Sequence, residues 1–466
     1  MIPVTIFAGR KLAIVGAGLS GLATARSLQE GGADIVMWDD NEPGRAQAAE
    51  AGFPVEDLRQ ADFGAFAALV LAPGIPLTHP EPHWSVKKAR AAGIEVIGDV
   101  ELFFRARAAS GIDCKVIAIT GTNGKSTTTA LTAHLLESAG RVAALGGNIG
   151  KAVLDLARLA PEMTYVLELS SYQIDLTPSL RPDAAALLNI TPDHLDRHGS
   201  LAGYASVKAR IFAQLEAHAT AVIGIDDAPC QAIAETLEGP YAVKRIAIDR
   251  AVQNGVWAAD ATLMEMVGGN EVARADLSGL GSLRGAHNWQ NAATAYALAR
   301  AQGIEPPALQ EGLKSFGGLA HRMEQVARAG TVLFVNDSKA TNADAAGKAL
   351  GSFDSIYWIV GGVAKDGGLQ GLEPFYPRVA RAYLIGEAAE AFAGQLGDAL
   401  PHIACGTLER AVEQAAEDAS LSNAHEPVVL LSPACASFDQ YANFAERGDA
   451  FRELVMERNG VTSLTG

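Results

Sequence analysis

The stretch Thr120-Gly121-Thr122-Asn123-Gly124-Lys125-Ser126 constrains this chain more than any other. It follows the apolar run Val116-Ile117-Ala118-Ile119 and precedes Thr127-Thr128-Thr129-Ala130-Leu131, so it reads as a glycine-rich turn from a buried strand into a helix. Small residues there let backbone N–H groups and the helix N-terminus close around an anion. Lys125 adds a point charge for β- and γ-phosphates, and Ser126 offers a hydroxyl to Mg²⁺. The loop is shorter than the ordinary Walker A motif, whose leading glycine is replaced by Ile119. Thr120 to Ser126, continued by Thr127, are therefore the expected grip on a nucleotide's phosphates, and they require an α/β domain around them.

A second glycine turn lies nearer the start. Lys11-Leu12-Ala13-Ile14-Val15, the helical stretch Leu22 to Glu30 and Asp34-Ile35-Val36-Met37-Trp38 form a βαβ pattern, which implies a parallel sheet. Between its first two elements sits Gly16-Ala17-Gly18-Leu19-Ser20-Gly21, a full G-x-G-x-x-G, with Asp39 and Asp40 after the next strand. By spacing alone this is a dinucleotide fingerprint, and it suggests NAD. Ala67-Ala68-Leu69-Val70-Leu71 and Ile94-Glu95-Val96-Ile97 continue the sheet, and the loop containing Gly74 follows a strand's carboxyl end, where α/β ligand sites form.

A second βα series runs from Lys115 through Tyr165-Val166-Leu167-Glu168-Leu169 and Ala185-Ala186-Leu187-Leu188-Asn189-Ile190 to Ala221-Val222-Ile223-Gly224-Ile225. A third contains Val332-Leu333-Phe334-Val335, Ile356-Tyr357-Trp358-Ile359-Val360 and Val428-Val429-Leu430-Leu431. The expectation is an α/β protein of three domains, at residues 1–108, 109–317 and 318–466.

Composition narrows the partners. The chain has 466 residues, of which 49% are hydrophobic and 19% charged, and a net charge of −16. That balance argues for globular domains and against a nucleic-acid or anionic-membrane surface, which would carry a basic patch. No apolar run approaches the ~20 residues of a membrane span, and no leader pattern opens the sequence, so the expected location is the cytoplasm. Cys114, Cys230, Cys405 and Cys435 lack CxxC spacing and read as buried free thiols.

Several polar clusters fall at strand ends. Glu168 closes an apolar strand near the phosphate loop, a place suited to holding Mg²⁺ through oxygen. Asn189-Ile190-Thr191-Pro192-Asp193-His194-Leu195-Asp196-Arg197-His198-Gly199 crowds two carboxylates, two imidazoles and an arginine into one turn. Its histidines have no cysteines at zinc spacing, which favours a hard cation or a phosphate. Lys208, within Ser206-Val207-Lys208-Ala209-Arg210-Ile211-Phe212, reads by spacing as a helix-surface lysine. Downstream, Gly285-Ala286-His287-Asn288, His321-Arg322, Asn336-Asp337-Ser338-Lys339-Ala340-Thr341-Asn342, Gly361-Gly362-Val363-Ala364-Lys365 and Ser432-Pro433-Ala434-Cys435-Ala436-Ser437 are further binding candidates.

Together these motifs resemble the Mur ligases, the ATP-dependent amide-forming enzymes of peptidoglycan precursor synthesis, over nearly the whole chain. The short phosphate loop, Gly147-Asn148-Ile149-Gly150, Glu168-Leu169-Ser170-Ser171-Tyr172-Gln173 and His194-Leu195-Asp196-Arg197-His198 resemble the family's central-domain motifs. The Asn336–Asn342 and Ser432–Ser437 stretches resemble the D-glutamate-adding branch rather than its alanine-, diamino-acid- or dipeptide-adding relatives.

The resemblance implies a Rossmann-like N-terminal domain, a central P-loop ATPase-like domain and a C-terminal Rossmann-like domain that closes over ATP. It implies that Lys125 and the loop amides hold ATP, and that Ser126, Glu168, His194 and Lys208 belong to the shells of one or two Mg²⁺ ions. Lys208 matches the position carbamylated in these enzymes; Lys125, Lys208, His194 and Lys339 make up the implied catalytic set. Asn288, Arg322 and Asp337 match adenine, phosphate and ribose contacts. Leu19, Ser20, Asp39, Asp40 and Gly74 match the pocket for the UDP handle of UDP-N-acetylmuramoyl-L-alanine, which makes NAD unnecessary. Asn148 matches a contact to substrate or nucleotide, and Lys339, Thr341, Lys365, Ser437 and Phe444 match the surroundings of D-glutamate. The implied state is a cytoplasmic monomer serving cell-wall biogenesis, cell shape and division. The residues leave three alternatives open: an NAD(P)-dependent oxidoreductase, a folylpolyglutamate synthase and a nucleotide switch without turnover.

Overall fold

The computed structural model describes residues 1–365 and 367–464. The chain forms two compact units, one of Met1–Asp276 with Gln290–Lys314 and one of Leu277–Trp289 with Ser315–Gly466. It is α/β throughout, built on three parallel-rich sheets.

The first unit holds two of them. Its four-stranded sheet runs Asp34–Trp38, Lys11–Val15, Ala68–Leu71, Glu95–Ile97, every pair parallel. Lys11–Val15 is buried after its first residue, as a strand covered on both faces must be. The following helix, Leu19–Glu30, lies so close to the end of that strand that a side chain on Gly21 would collide with the Gly16 carbonyl. Glycine at this position is a packing requirement.

The second sheet has nine strands, in the order Asn270–Asp276, Thr262–Val267, Gly255–Ala259, Ala242–Ile248, Thr220–Gly224, Ala184–Leu187, Lys115–Thr120, Met163–Glu168, Val142–Gly147. The last seven pair in parallel; the first two add an antiparallel meander that the sequence reading does not anticipate. Lys115–Thr120 and Met163–Glu168 lie side by side and buried, so the phosphate loop and Glu168 leave the same sheet edge together.

The second unit carries the third sheet: His402–Gly406, Val379–Ile385, Ile356–Gly361, Val428–Leu431, Val332–Asn336, Glu324–Ala329, Thr462–Ser463. The first five strands are parallel and Glu324–Ala329 is antiparallel to both its neighbours. The loops after Val332–Asn336, Ile356–Gly361 and Val428–Leu431 therefore emerge at one end of the sheet. Cys114, Cys230, Cys405 and Cys435 are all buried and unbridged, as expected.

Candidate functional site

Lys115–Thr120 feeds Gly121–Gly124 and then the helix Lys125–Ser138. Gly124 enters the helix at φ +80°, a conformation in which a Cβ is strained, and a Cβ there would strike Asn291 Oδ1. The loop is held from the turn after Ala184–Leu187: Thr122 N–H donates to Asn189 O (2.9 Å), Asn123 N–H to Asn189 Oδ1 (2.9 Å), and Thr191 N–H to Thr122 Oγ1 (3.0 Å). Lys125 Nζ folds over its own loop, donating to Gly121 O (3.0 Å) and Thr122 O (2.8 Å). Ser126 is buried and Thr127 half-buried in the first turn. The result is a preformed ring of backbone groups at a helix N-terminus, a general anion cradle.

Lys208 is not on the surface. It is 1% exposed, and its Nζ donates to Gly121 O (2.8 Å) and Thr120 Oγ1 (3.2 Å) above the ring of Tyr204. The helix Leu201–Ala209 turns this side chain inward because Tyr204 and Lys208, one turn apart, share its packed face. Burial, then the charge of Lys125, lowers the Lys208 pKa well below its ordinary value; Asp193, Cys230 and Glu168 oppose the shift weakly. An amine so placed gives up its proton far more readily than a surface lysine.

Glu168 is 2% exposed. Its Oε1 accepts from Asn148 Nδ2 (2.9 Å), while Oε2 is buried with no hydrogen-bond partner. An orphaned carboxylate oxygen is costly unless a cation or donor completes it. With the Ser126 hydroxyl it offers hard oxygen donors, which fit Mg²⁺ and do not fit a soft metal. Among the described residues no three His, Cys, Asp or Glu side chains converge as a protein-only cage.

His194 sits at φ +53°, its N–H bonded to Asp193 Oδ1 (3.0 Å). Burial lowers its imidazole pKa; Asp193 opposes this, and the charges of Lys125 and Lys208 lower it further. His198 stacks on Tyr172 and shares a 2.9 Å hydrogen bond with Ser171. Arg197 Nη1 donates to Gly74 O (2.8 Å), tying the loop of the four-stranded sheet to this turn.

At the first glycine turn, Asp39 Oδ2 accepts from Ala17 N–H (2.8 Å) and Oδ1 from Asn41 N–H (2.9 Å). Asp40 accepts from Trp38, Trp84, His83 and Arg59. Burial pushes its pKa up, but the donors of His83, Trp38 and Trp84 win and hold it at about 2. Leu19 is 78% exposed and Ser20 half-buried in the helix's first turn. Arg45 and Arg59 lie over Trp38. These aromatic and basic residues are not signalled by the glycine motif.

In the second unit, Asp337 Oδ1 accepts from Met323 N–H (3.2 Å) and Oδ2 from Ser432 Oγ (2.8 Å); burial raises its pKa to about 7 against those bonds and the charge of Arg322. Asn288 is buried and donates to Arg284 O (3.0 Å). Lys339 Nζ lies 3.7 Å from the centre of the Phe444 ring. The loops bearing Lys365 and Ser437 are joined by reciprocal hydrogen bonds between Val363 and Ala436 (2.9 and 3.0 Å). Lys365 is exposed, Thr341 half-buried and Ser437 buried. Lys339 and Phe444 thus meet directly, and the loops of Lys365 and Ser437 run together.

Residues 119–299 match the Mur ligase middle domain, and residues 10–98 match the Mur ligase MurD-like N-terminal domain. The chain is 56% identical over 468 residues to the UDP-N-acetylmuramoylalanine--D-glutamate ligase of Brucella abortus (strain 2308) and 55% identical over 467 residues to that of Mesorhizobium japonicum, in each case covering 100% of both chains. Its fold is similar to UDP-N-acetylmuramate-alanine ligase MurC from Thermotoga maritima, at a TM-score of 0.59 and 17% identity over 95% of this chain and 98% of that one. It is also similar to MurF from Acinetobacter baumannii, at a TM-score of 0.58 and 17% identity over 91% of each. The phosphate loop, the three parallel-rich sheets and the end-to-end likeness agree: the chain belongs to the Mur ligase family.

Proposed function

We propose that this protein is an ATP-dependent ligase that joins D-glutamate to the alanine carboxylate of UDP-N-acetylmuramoyl-L-alanine in peptidoglycan precursor synthesis. The carrying observation is the full-length identity to relatives bearing that activity in their names. The alanine carboxylate takes the γ-phosphoryl group of ATP, releasing ADP and leaving an acyl phosphate. The D-glutamate amine attacks the acyl carbon, a tetrahedral intermediate collapses, phosphate departs and a proton is lost to solvent. Negative charge grows on oxygen in each step, and the roles of Lys125 and Lys339 are to stabilise it. Lys125 and the loop amides at the helix N-terminus hold the phosphates, and ordered loops position the two reactants.

Mg²⁺, when bound, neutralises phosphate charge. Ser126, Glu168 and His194 are the residues that would hold it, and the orphaned Glu168 oxygen supports that assignment. Lys208 is the proposed site of carbamylation. Its neutral amine forms an N–C bond to CO₂ and loses a proton, which converts a poor neighbour for a cation into an oxygen ligand.

Asn288, Arg322 and Asp337 are assigned to the nucleotide, and Leu19, Ser20, Asp39, Asp40, Gly74 and Asn148 to the UDP-linked substrate. Lys339, Thr341, Lys365, Ser437 and Phe444 are assigned to D-glutamate. The domain limits 1–108, 109–317 and 318–466, the monomeric state and the cytoplasmic location complete the proposal. No helix among the described residues is long and apolar enough to cross a membrane. Phosphate release from ATP, measured with the UDP-linked substrate and alanine, D-glutamate or a diamino acid in turn, tests reaction and acceptor together. Release with D-glutamate alone among the three is expected; release with another acceptor alone, or with none, refutes the proposal.

A further inference from the structure

Arg447 lies on the helix Phe444–Met456, where an arginine ordinarily extends its head to water. Here it is 1% exposed. Its Nε donates to Ser338 Oγ (3.0 Å), and its Nη2 donates to Ser338 O (2.9 Å) and Cys435 O (3.1 Å). Its Nη1 is buried with no hydrogen-bond partner, beside Gly362, where a Cβ would stand 3.2 Å away. Among the described residues no carboxylate bonds the guanidinium. Asp439, the carboxylate acting on it at longer range, instead accepts from Glu387 N–H (3.0 Å).

A buried cation whose bonds all go to neutral oxygens is an expensive feature unless an anion answers it. The place of this one is specific. Ser338 precedes Lys339, Cys435 lies two residues before Ser437, and Gly362 opens the loop to Lys365. Ser338 Oγ in turn donates to Phe444 O (2.8 Å), beneath the ring that carries Lys339. One guanidinium therefore touches all three loops that bear the basic and hydroxyl side chains of this end of the sheet.

We propose that Arg447 is a positioning residue for an anionic acceptor amino acid: it pins the Lys339 and Ser437 loops and supplies a fixed positive field that the acceptor's carboxylates neutralise. The inference rests on the D-glutamate reading above. Both effects act through neighbours, since the head is sealed from solvent. A neutral replacement should therefore weaken the acceptor selectively, and lysine should restore much of what charge alone provides.

The test is steady-state kinetics on the full chain with Arg447→Gln and Arg447→Lys, beside the parent protein, with all three substrates varied and far-ultraviolet circular dichroism run in parallel. Arg447→Gln should raise KM for D-glutamate about tenfold or more, leave KM for ATP and for the UDP-linked substrate within about twofold, and flatten the salt dependence of the D-glutamate KM. Arg447→Lys should recover most of the D-glutamate KM. An unchanged D-glutamate KM in a folded Arg447→Gln overturns the inference, as does a parallel rise in all three KM values that lysine does not reverse. If Arg447→Gln does not fold, a D-glutamate KM raised tenfold or more in Arg447→Lys, despite its retained charge, overturns the field argument, and a KM near the parent's supports it. Absence of D-glutamate-dependent turnover in the parent protein overturns the acceptor reading itself, a distinct result.

Discussion

Replacing Lys208 by methionine should make the resting protein more stable and the enzyme inactive. In the fold the amine is buried, and its pKa is held well below the ordinary 10.5, first by burial and then by Lys125. In the unfolded chain it is an ordinary protonated lysine. The folded chain thus binds fewer protons than the unfolded one between the depressed value and 10.5, so stability rises with pH across that window. Each unit of depression costs about 1.4 kcal/mol at and below the depressed value. Lys208→Met removes that penalty. It gives up the hydrogen bonds to Gly121 O and Thr120 Oγ1, together about 2 kcal/mol.

Neither partner is orphaned by the change. Gly121 O still accepts from Lys125 Nζ (3.0 Å), and the Thr120 hydroxyl still donates to Leu169 O (2.7 Å). The burial penalty removed at neutral pH is therefore set against the loss of those two bonds alone. Urea midpoints in bicarbonate-free buffer at pH 7 and pH 9.5 read the effect, with phosphate release as the activity measure. The expected result is a higher midpoint for Lys208→Met at pH 7, a midpoint level with or slightly below the parent's at pH 9.5, and loss of nearly all turnover. A variant equally destabilised at both pH values would show that the burial argument is wrong, and one that keeps its turnover would overturn the carbamylation reading.

Gly124→Ala meets both a left-handed φ of +80° and the Asn291 side chain. It should weaken nucleotide binding at least tenfold in a fluorescent-ATP titration, with partial recovery on adding Asn291→Ala. Asp337, raised to about 7 from 3.8, makes the folded chain bind more protons than the unfolded one in that window, so stability falls as pH rises through it. Asp337→Asn keeps the bond from Met323 N–H at its oxygen and reverses the other, its amide donating to Ser432 Oγ, and should stabilise the protein by ~4 kcal/mol at pH 8 but little at pH 4, as read from urea midpoints. Asn336 is fully buried and bonds Glu324, Gly448 and Ser338 N–H, so Asn336→Leu should cost about 2–4 kcal/mol in the same assay. A cost below about 0.5 kcal/mol would show that its network is replaceable.

The parts of the fold visible in the sequence are those whose burial pattern is local. Lys11–Val15, Lys115–Thr120 and Val428–Leu431 announce themselves as short apolar runs because both of their faces are covered. The meander of Gly255–Ala259, Thr262–Val267 and Asn270–Asp276 is harder to see, since it is partly exposed and mixes polar with apolar residues. Its clearest signal is Gly268-Gly269, both at positive φ between two strands, a two-residue hairpin turn. Val379–Ile385 and His402–Gly406 escape for a related reason: Arg381, His402 and Gly406 break their apolar runs.

At the candidate site, the strand, loop and helix around Lys125 are legible because glycine, lysine and hydroxyl spacing is a local code. The inward turn of Lys208 is not, because a lysine on a mixed helix is normally solvated and only the packing of Tyr204 reverses that. Arg447 gives no sequence signal at all, for its partners lie 12 and 109 residues away. The Trp38, His83 and Trp84 cluster on Asp40 is likewise assembled by tertiary contact.

The central claim is that this fold activates a carboxylate with ATP so that D-glutamate can capture it. Rapid-quench analysis of the purified protein with γ-labelled ATP, Mg²⁺ and UDP-N-acetylmuramoyl-L-alanine, with and without D-glutamate, measures that directly. Without D-glutamate, label should pass from ATP to the UDP-linked substrate as an acyl phosphate in at most one equivalent per enzyme. With D-glutamate, ADP, phosphate and the amide product should appear in equal amounts. Amide formation without ATP cleavage, or ATP cleavage indifferent to D-glutamate with no amide formed, would contradict the account.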